Sequence, residues 1–224
     1  MKKLAIVGYG KMGRLIESLA PEYDFSIHAR IDMNDDSSAV RGADVAVEFT
    51  MPEAVARNVE KIAALGVPVV IGTTGWLKDM ERVRASATRH NVAVVWSPNF
   101  SVGVNVFSRL VREAARMLAD EPQYGAWAWE IHHHTKKDAP SGTLVKLVEE
   151  MKAGGFARPI DVSSNRAGAH PGTHEIGFDS AADTITLRHT ARSREGFARG
   201  ALQAAGWIIG KTGVHSFSDI LFER

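Results

Sequence analysis

The sequence predicts an α/β fold in two parts: a parallel sheet with helices on both faces, then an α+β domain built on an open mixed sheet. Three observations carry that prediction. Short apolar runs alternate with helical patterns through residues 1–101, the rhythm of a parallel sheet. After SPNFSVGVN, Ser97–Asn105, the rhythm changes to one helix and a series of strands joined by polar turns, which implies a second sheet, antiparallel or mixed. A chain of 224 residues is long for one domain and sufficient for two small ones.

Taken in order, Leu4–Val7 is a short buried strand. A helix follows over Lys11–Leu19, with Met12, Leu15, Ile16 and Leu19 at helical spacing. Phe25–Ile31 and Val45–Phe49 are the second and third strands, Pro52–Leu65 a helix and Val67–Ile71 the fourth strand. Leu77–His90 is a further helix and Val92–Trp96 the fifth strand. In the second part a helix runs from Val104 to Leu118. Tyr124–His134 then alternates as a strand, with Trp127, Trp129 and Ile131 on one face and Ala128, Glu130 and His132 on the other. Ile160–Ser164, Thr173–Phe178 and Thr184–Thr190 are strands, and Arg194–Ile209 is a helix able to return to the first domain.

Composition bounds the function. A hydrophobic fraction of 45% with 24% charged residues supports a sizeable globular core. A net charge of +1 gives no electrostatic case for nucleic acid or a membrane surface. The absence of cysteine excludes disulfides, thiolate zinc sites and cysteine nucleophiles, and fits a reducing compartment. The opening MKKLAIVGYGKMG has an apolar core of only Leu4–Val7, too short for a signal peptide, and no run reaches transmembrane length. A cytoplasmic protein is expected.

IVGYGKMG places Gly8, Gly10 and Gly13 directly after a strand and at the opening of a helix, the G-x-G-x-x-G pattern of a Rossmann-type parallel sheet. Gly8 allows the tight turn, Gly10 lets backbone approach a pyrophosphate, and Gly13 lets helix pack close to strand. Free N–H groups at Lys11 and Met12 favour the anion there. Asp32 ends the second strand about twenty residues on, where an acid accepts hydrogen bonds from adenosine ribose hydroxyls. FTMPEA (Phe49–Ala54) and GTTGW (Gly72–Trp76) follow the third and fourth strands. Ligands of open parallel sheets bind at such carboxyl ends, and small residues there leave room for a flat ring.

The densest chemistry lies in EIHHHTKKDAPSGT, Glu130–Thr143. His132 and His134, at i, i+2 on one strand face, are a candidate metal pair, but no third ligand is identifiable and the reading assigns no metal. Pro140, Ser141 and Thr143 look like a helix start leading into Leu144–Met151, with hydroxyls placed to cap free N–H groups. A helix N-terminus beside Lys136 is a ready carboxylate site, and the adjacent histidine makes proton donation to an anionic substrate feasible.

This stretch resembles the signature of the 4-hydroxy-tetrahydrodipicolinate reductase (dihydrodipicolinate reductase) family of diaminopimelate and lysine biosynthesis. IVGYGKMGR, FTMPEA, GTTGW, NFSVGVN, RAG at Arg166–Gly168 and SREGFARGAL at Ser193–Leu202 agree in order, so the resemblance spans the chain. The glycine loop is one residue shorter than the G-x-x-G-x-x-G of many members, and the segment between Asp32 and Val45 is short, as in compact members.

The resemblance implies a nicotinamide-dependent reductase with a dinucleotide-binding domain over 1–101 and 194–224. Residues 102–193 would form a substrate-binding and oligomerisation domain. His132 and Lys136 match proposed proton donors. His133, Lys136, Ser141, Gly142 and Thr143 match contacts to the substrate carboxylates. Phe49, Gly72, Thr73, Thr74, Asn99 and Phe100 match positions around the nicotinamide, and Arg194 and Phe197 match positions near the cofactor. Crossings near Ser101 and Arg194 imply a hinge that closes on substrate. Family members are typically homotetramers joined through the second sheet. By burial habit the Trp127/Trp129 stripe reads as core before interface, yet a homotetramer is the expectation. Asp32, followed by Met33 and Asn34 rather than arginine, favours NADH; Arg30, Lys11 and Arg14 leave NADPH open as a second donor. Another imine or amino-acid dehydrogenase of similar build, or a nicotinamide-sensing regulator, is the competing reading. The intact His132 and Lys136 argue against the regulator.

Overall fold

The computed structural model describes residues 1–33 and 35–223. It falls into two compact units, Met1–Val102 with Glu195–Arg224, and Gly103–Arg194. Elements are numbered in chain order. The first unit holds strands β1 (Lys2–Val7), β2 (Phe25–Ile31), β3 (Val45–Glu48), β4 (Val69–Ile71), β5 (Ala93–Trp96) and β10 (Gly213–Ser216). Its helices are α1 (Lys11–Leu19), α2 (Pro52–Ala63), α3 (Met80–His90), α6 (Glu195–Ile208) and α7 (Phe217–Phe222). The six strands form one parallel sheet in the order β10-β5-β4-β3-β1-β2.

The strands are apolar on both faces because both faces are covered. Leu4, Ile6, Val45 and Val47 pack with Ile16 of α1 and with Ala201, Ala204 and Ile208 of α6. Ala5, Val7, Ala46 and Val69 pack with Val55 and Val59 of α2 and Val83 of α3. After β2 the chain returns to the far side of β1, so strand order reverses between β1 and β3. In sheets of this kind the ligand crevice opens at such a reversal.

The fold class is the one the sequence predicts, with local corrections. The expected helix over Leu77–His90 opens as a 3₁₀ turn at Leu77–Asp79 and becomes α-helical only at Met80. The sequence pattern does not predict the strand β10 or the helix α7. GVHS is too short and too polar to show alternation, and it becomes a strand by pairing with β5.

The second unit holds α4 (Val102–Met117), β6 (Gly125–His132), α5 (Gly142–Ala153), β7 (Ile160–Arg166), β8 (Thr173–Asp179) and β9 (Thr184–Thr190). The sheet order is β7-β6-β8-β9, with β7 parallel to β6 and the other pairs antiparallel. Phe107, Val111 and Ala115 of α4 and Leu144, Leu147 and Met151 of α5 bury against Ala126, Ala128, Ile176 and Phe178. The covered face of β6 is therefore the one bearing Ala126, Ala128, Glu130 and His132. Reading the Trp127/Trp129 stripe as core is a mistake of face: both tryptophans are half-buried on the opposite side. There Trp129 Nε1 donates to Asn165 Oδ1 at 2.6 Å.

Candidate active site

In the first unit the site begins at the turn after β1. Gly8 has φ +95°, and a side chain there would collide with the Phe49 carbonyl, so the turn requires glycine. A Cβ on Gly13 would run into the Gly8 carbonyl; its absence lets α1 sit against β1. Gly10 faces open space, as a position of backbone approach needs. Lys11 and Met12 start α1, exposed and half-buried. Asp32 is exposed at the end of β2, with Oδ1 accepting from Met33 N at 2.9 Å. Arg30 is committed elsewhere: its Nε donates to both Glu17 carboxylate oxygens at 3.1 and 3.2 Å. Asn34 lies outside the described residues.

The ends of β3 and β4 are joined by a residue that sequence reading passed over. Glu48 is fully buried and accepts hydrogen bonds from Thr50 Oγ1, from Asn58 Nδ2 at 3.1 Å and from Thr73 Oγ1 at 2.7 Å. Thr50 N in turn donates to Thr73 Oγ1 at 2.7 Å. Burial pushes the Glu48 carboxyl up; the donors from Thr50, Thr73 and Asn58 oppose it. The Phe49 ring lies where a Gly72 side chain would be. Phe49, Gly72 and Thr73 thus meet in one place, with Thr74 exposed beside them. Asn99 Oδ1 accepts from Ser101 N at 2.9 Å. The Phe100 ring is buried against Phe217, centroids 5.0 Å apart, and its carbonyl packs against Gly200. Arg194 is exposed just before α6 and Phe197 is half-buried within its first turn.

The second unit gathers the ionisable groups. Strand alternation puts Glu130 and His132 on the covered face of β6, and register does the rest. His132 pairs with Arg166 of β7 and Glu130 with His174 of β8. Glu130, His132, Ser141 and His174 are all buried. His132 Nδ1 is hydrogen-bonded to Glu130 Oε2. Arg166 grips both Glu130 oxygens at 2.8 and 3.1 Å, and Ser141 N donates to Oε1 at 3.2 Å. Burial pushes the Glu130 carboxyl up, but Arg166 and then His132 outweigh it and hold it at about 2. Burial lowers His132, with Glu130 opposing. His174 is pushed down to about 4 by burial and by the neighbouring His132.

Ser141 is the N-cap of α5, its Oγ accepting from Leu144 N at 3.2 Å and meeting His174 Nε2 at 3.1 Å. Gly142 and Thr143 open the helix, exposed and half-buried. Lys136 lies in the loop between, its Nζ 2.7 and 2.9 Å from the Asp138 carboxylate, which it draws below the usual range. Arg166 also donates to the Asp138 carbonyl, tying that loop to the sheet. His133 is half-buried, its Nδ1 2.7 Å from Thr135 Oγ1.

His132 and His134 do not share the buried face of the strand. His134 is past the strand end, exposed, with Nδ1 3.0 Å from the Gly168 carbonyl. Glu130, His132 and His174 do bring ligand atoms within 4.8 Å of one another. However, all four acceptor positions of Glu130 are already taken, two by a guanidinium, so the donor set suits a hydrogen-bonded network rather than a cation.

A parallel sheet with a glycine turn at its reversal point, and a second unit with a buried acid–base cluster beside a helix N-terminus, define a dinucleotide-dependent oxidoreductase. Comparison with known proteins makes the class specific. Family models of dihydrodipicolinate reductase match residues 2–100 (N-terminus) and 103–221 (C-terminus). A 4-hydroxy-tetrahydrodipicolinate reductase of Christiangramia forsetii is 35% identical over 97% of this chain and 97% of its own length. One from Anaeromyxobacter sp. is 43% identical over 84% of this chain and 77% of its own. The solved structure of dipicolinate-bound dihydrodipicolinate reductase from Paenisporosarcina sp. shares the fold, with a TM-score of 0.83 at 20% identity over 98% of this chain and 99% of that one. The chain belongs to the dihydrodipicolinate reductase family.

Proposed function

We propose that this chain is a 4-hydroxy-tetrahydrodipicolinate reductase, reducing the dihydropyridine dicarboxylate formed from the hydroxy precursor to tetrahydrodipicolinate in lysine and diaminopimelate biosynthesis. The observation that carries the reading is the buried Glu130–His132–Arg166 cluster against the N-terminus of α5, within a chain of this family. A reduced nicotinamide, when bound, supplies a hydride. The 1–101 and 194–224 segments hold that cofactor. Backbone N–H groups of the Gly8–Gly13 turn take the pyrophosphate, and Asp32 takes the ribose hydroxyls. Phe49, Gly72, Thr73, Thr74, Asn99 and Phe100 would hold the nicotinamide, with Arg194 and Phe197 near the cofactor.

Segment 102–193 holds the substrate. Its two carboxylates need fixed positive charge and N–H donors, supplied by Lys136, His133, Ser141, Gly142 and Thr143. Two of the three Lys136 donors reach Asp138, which leaves one for a substrate oxygen. Hydride addition leaves negative charge on the ring, and His132, assisted by Lys136, delivers the proton that quenches it. NADH is preferred, because Asp32 repels a 2′-phosphate and Arg30 is held by Glu17; NADPH serves as a second donor. The enzyme works in the cytoplasm as a homotetramer joined through the open Trp127/Trp129 face of the second sheet. Among the described residues no helix is long and apolar enough to cross a membrane.

The reading is tested by following nicotinamide absorbance with substrate generated in situ from pyruvate and aspartate semialdehyde. Substrate-dependent oxidation of NADH supports it; none with either cofactor refutes it.

A further inference from the structure

The proposed function leaves open how His132 is held in the form that donates a proton, and from which ring nitrogen. The geometry around Glu130 answers both. An ionised carboxylate has about four acceptor positions. Glu130 fills four: Arg166 occupies two at 2.8 and 3.1 Å, Ser141 N one at 3.2 Å, and His132 Nδ1 the fourth. A guanidinium and a backbone amide are obligate donors, so they select the ionised carboxylate, which only accepts. His132 Nδ1 must then carry hydrogen. In the neutral ring Nε2 is left bare, and in the imidazolium the transferable proton sits on Nε2.

Resting on the reductase reading, we infer that Glu130, clamped by Arg166, is the positioning residue that keeps a proton on Nδ1 of His132 and makes Nε2 the atom that donates to substrate. The surroundings agree. Gly172, on the approach to β8, lies against Nε2: a Cβ there would come within 2.7 Å, so any side chain at this position would crowd that atom. The charged and titratable groups facing His132 are Glu130 on its own strand, Arg166 from β7, His174 from β8 and Lys136 from the loop. His174 sits edge-on, centroids 5.1 Å away, and with its pKa near 4 it is neutral at pH 7 and brings no competing cation. Arg166 holds Glu130 at about 2, so the carboxylate does not take the histidine's proton.

The step balances simply. The Nε2–H bond breaks as a bond to the substrate forms, and its electron pair stays on Nε2. The two electrons that reduce the substrate arrive with the hydride. The ring is left neutral with Nδ1–H on Glu130, and water returns the second proton. Glu130 touches no reacting atom.

The test combines two readouts on the full-length protein. The first is the ¹⁵N and ¹H resonance pattern of His132 in histidine-labelled protein without substrate. The second is the pH dependence of kcat and kcat/KM for wild type, Glu130→Gln and Glu130→Asp. The expected wild-type pattern is a neutral ring protonated on Nδ1 with a strongly downfield proton. Because the donor must be protonated, activity falls as pH rises through the His132 pKa. Glu130→Gln removes the carboxylate that opposes burial, so that limb moves to lower pH. At pH 7.5 kcat drops about 10²-fold with KM changed far less. Glu130→Asp, which keeps the charge, recovers part of the loss. A neutral wild-type ring protonated on Nε2, with Nδ1 bare, overturns the inference even if the variants fail to fold. So does a Glu130→Gln profile superimposable on wild type. Wild type without turnover is a different result, and refutes the reductase reading instead.

Discussion

Replacing Arg166 by methionine leaves the Glu130 carboxylate buried without its counter-charge. Glu130 is 0% exposed, so solvent does little to screen the loss. Removing one partner of a buried pair costs about 3–5 kcal/mol. The pKa agrees in sign: against burial, Arg166 and then His132 hold Glu130 from 4.5 down to about 2, a net of about 3 kcal/mol to which both partners contribute. The folded-state pKa lies below the unfolded one. That stabilisation is therefore present above about pH 4.5 and is lost as pH falls toward about 2. In Arg166→Met burial dominates and the Glu130 pKa rises. The gap between wild type and variant should be about 3 kcal/mol at pH 7.5 and should narrow steadily below pH 5. Denaturant unfolding at a series of pH values, followed by circular dichroism, measures it. Arg188→Met is the control, since Arg188 is 57% exposed on its Glu175 partner at 3.2 Å and should cost less than about 1 kcal/mol. An Arg166→Met cost below about 1 kcal/mol, or one that does not change between pH 7.5 and pH 4, would refute the reasoning.

Three further outcomes are expected. Lys136→Ala should raise the KM for substrate by at least about tenfold, with cofactor affinity unchanged in fluorescence titration, because the glycine turn and Asp32 lie in the other unit; weakened NADH binding would count against the division of labour. NADPH should not exceed NADH in kcat/KM by more than about tenfold, a margin of roughly 1.4 kcal/mol; steady-state rates with both cofactors decide. Light scattering at micromolar concentration should give a tetramer, shifted to smaller species by Trp129→Glu on the open sheet face, and a monomeric wild type would remove the assembly proposal.

Much of this was legible because it rests on local pattern. The glycine turn, its strand and its helix are set by adjacent residues, and GYGKMG describes its own geometry. Ser141 as a helix cap could likewise be read from DAPSGT. The buried cluster was legible only in part. Alternation placed Glu130 beside His132 on one face of β6, but nothing local says which face a second layer covers. Two large aromatic side chains favour the Trp127/Trp129 face as core, whereas the buried face carries Ala126, Ala128, Glu130 and His132. Trp127 lies over Gly177, a neighbour fifty residues on that only the β6–β8 register supplies. Arg166 is visible in the sequence only as part of RAG, because its contact with Glu130 depends on strand pairing with His132. Glu48 looked like the end of a strand. Its importance comes from Thr73, which reaches it from the adjacent strand's loop.

The central claim is that EIHHHTKKDAPSGT forms the reacting centre of a dicarboxylate reductase. It is tested most directly by comparing wild type with the His132→Gln, Lys136→Ala double variant. Both should be assayed for NADH oxidation with substrate formed in situ and for NADH binding by fluorescence. The account predicts substrate-dependent oxidation by wild type, near-background oxidation by the double variant, and equal NADH affinity in the two. A double variant turning over at close to the wild-type rate would contradict it.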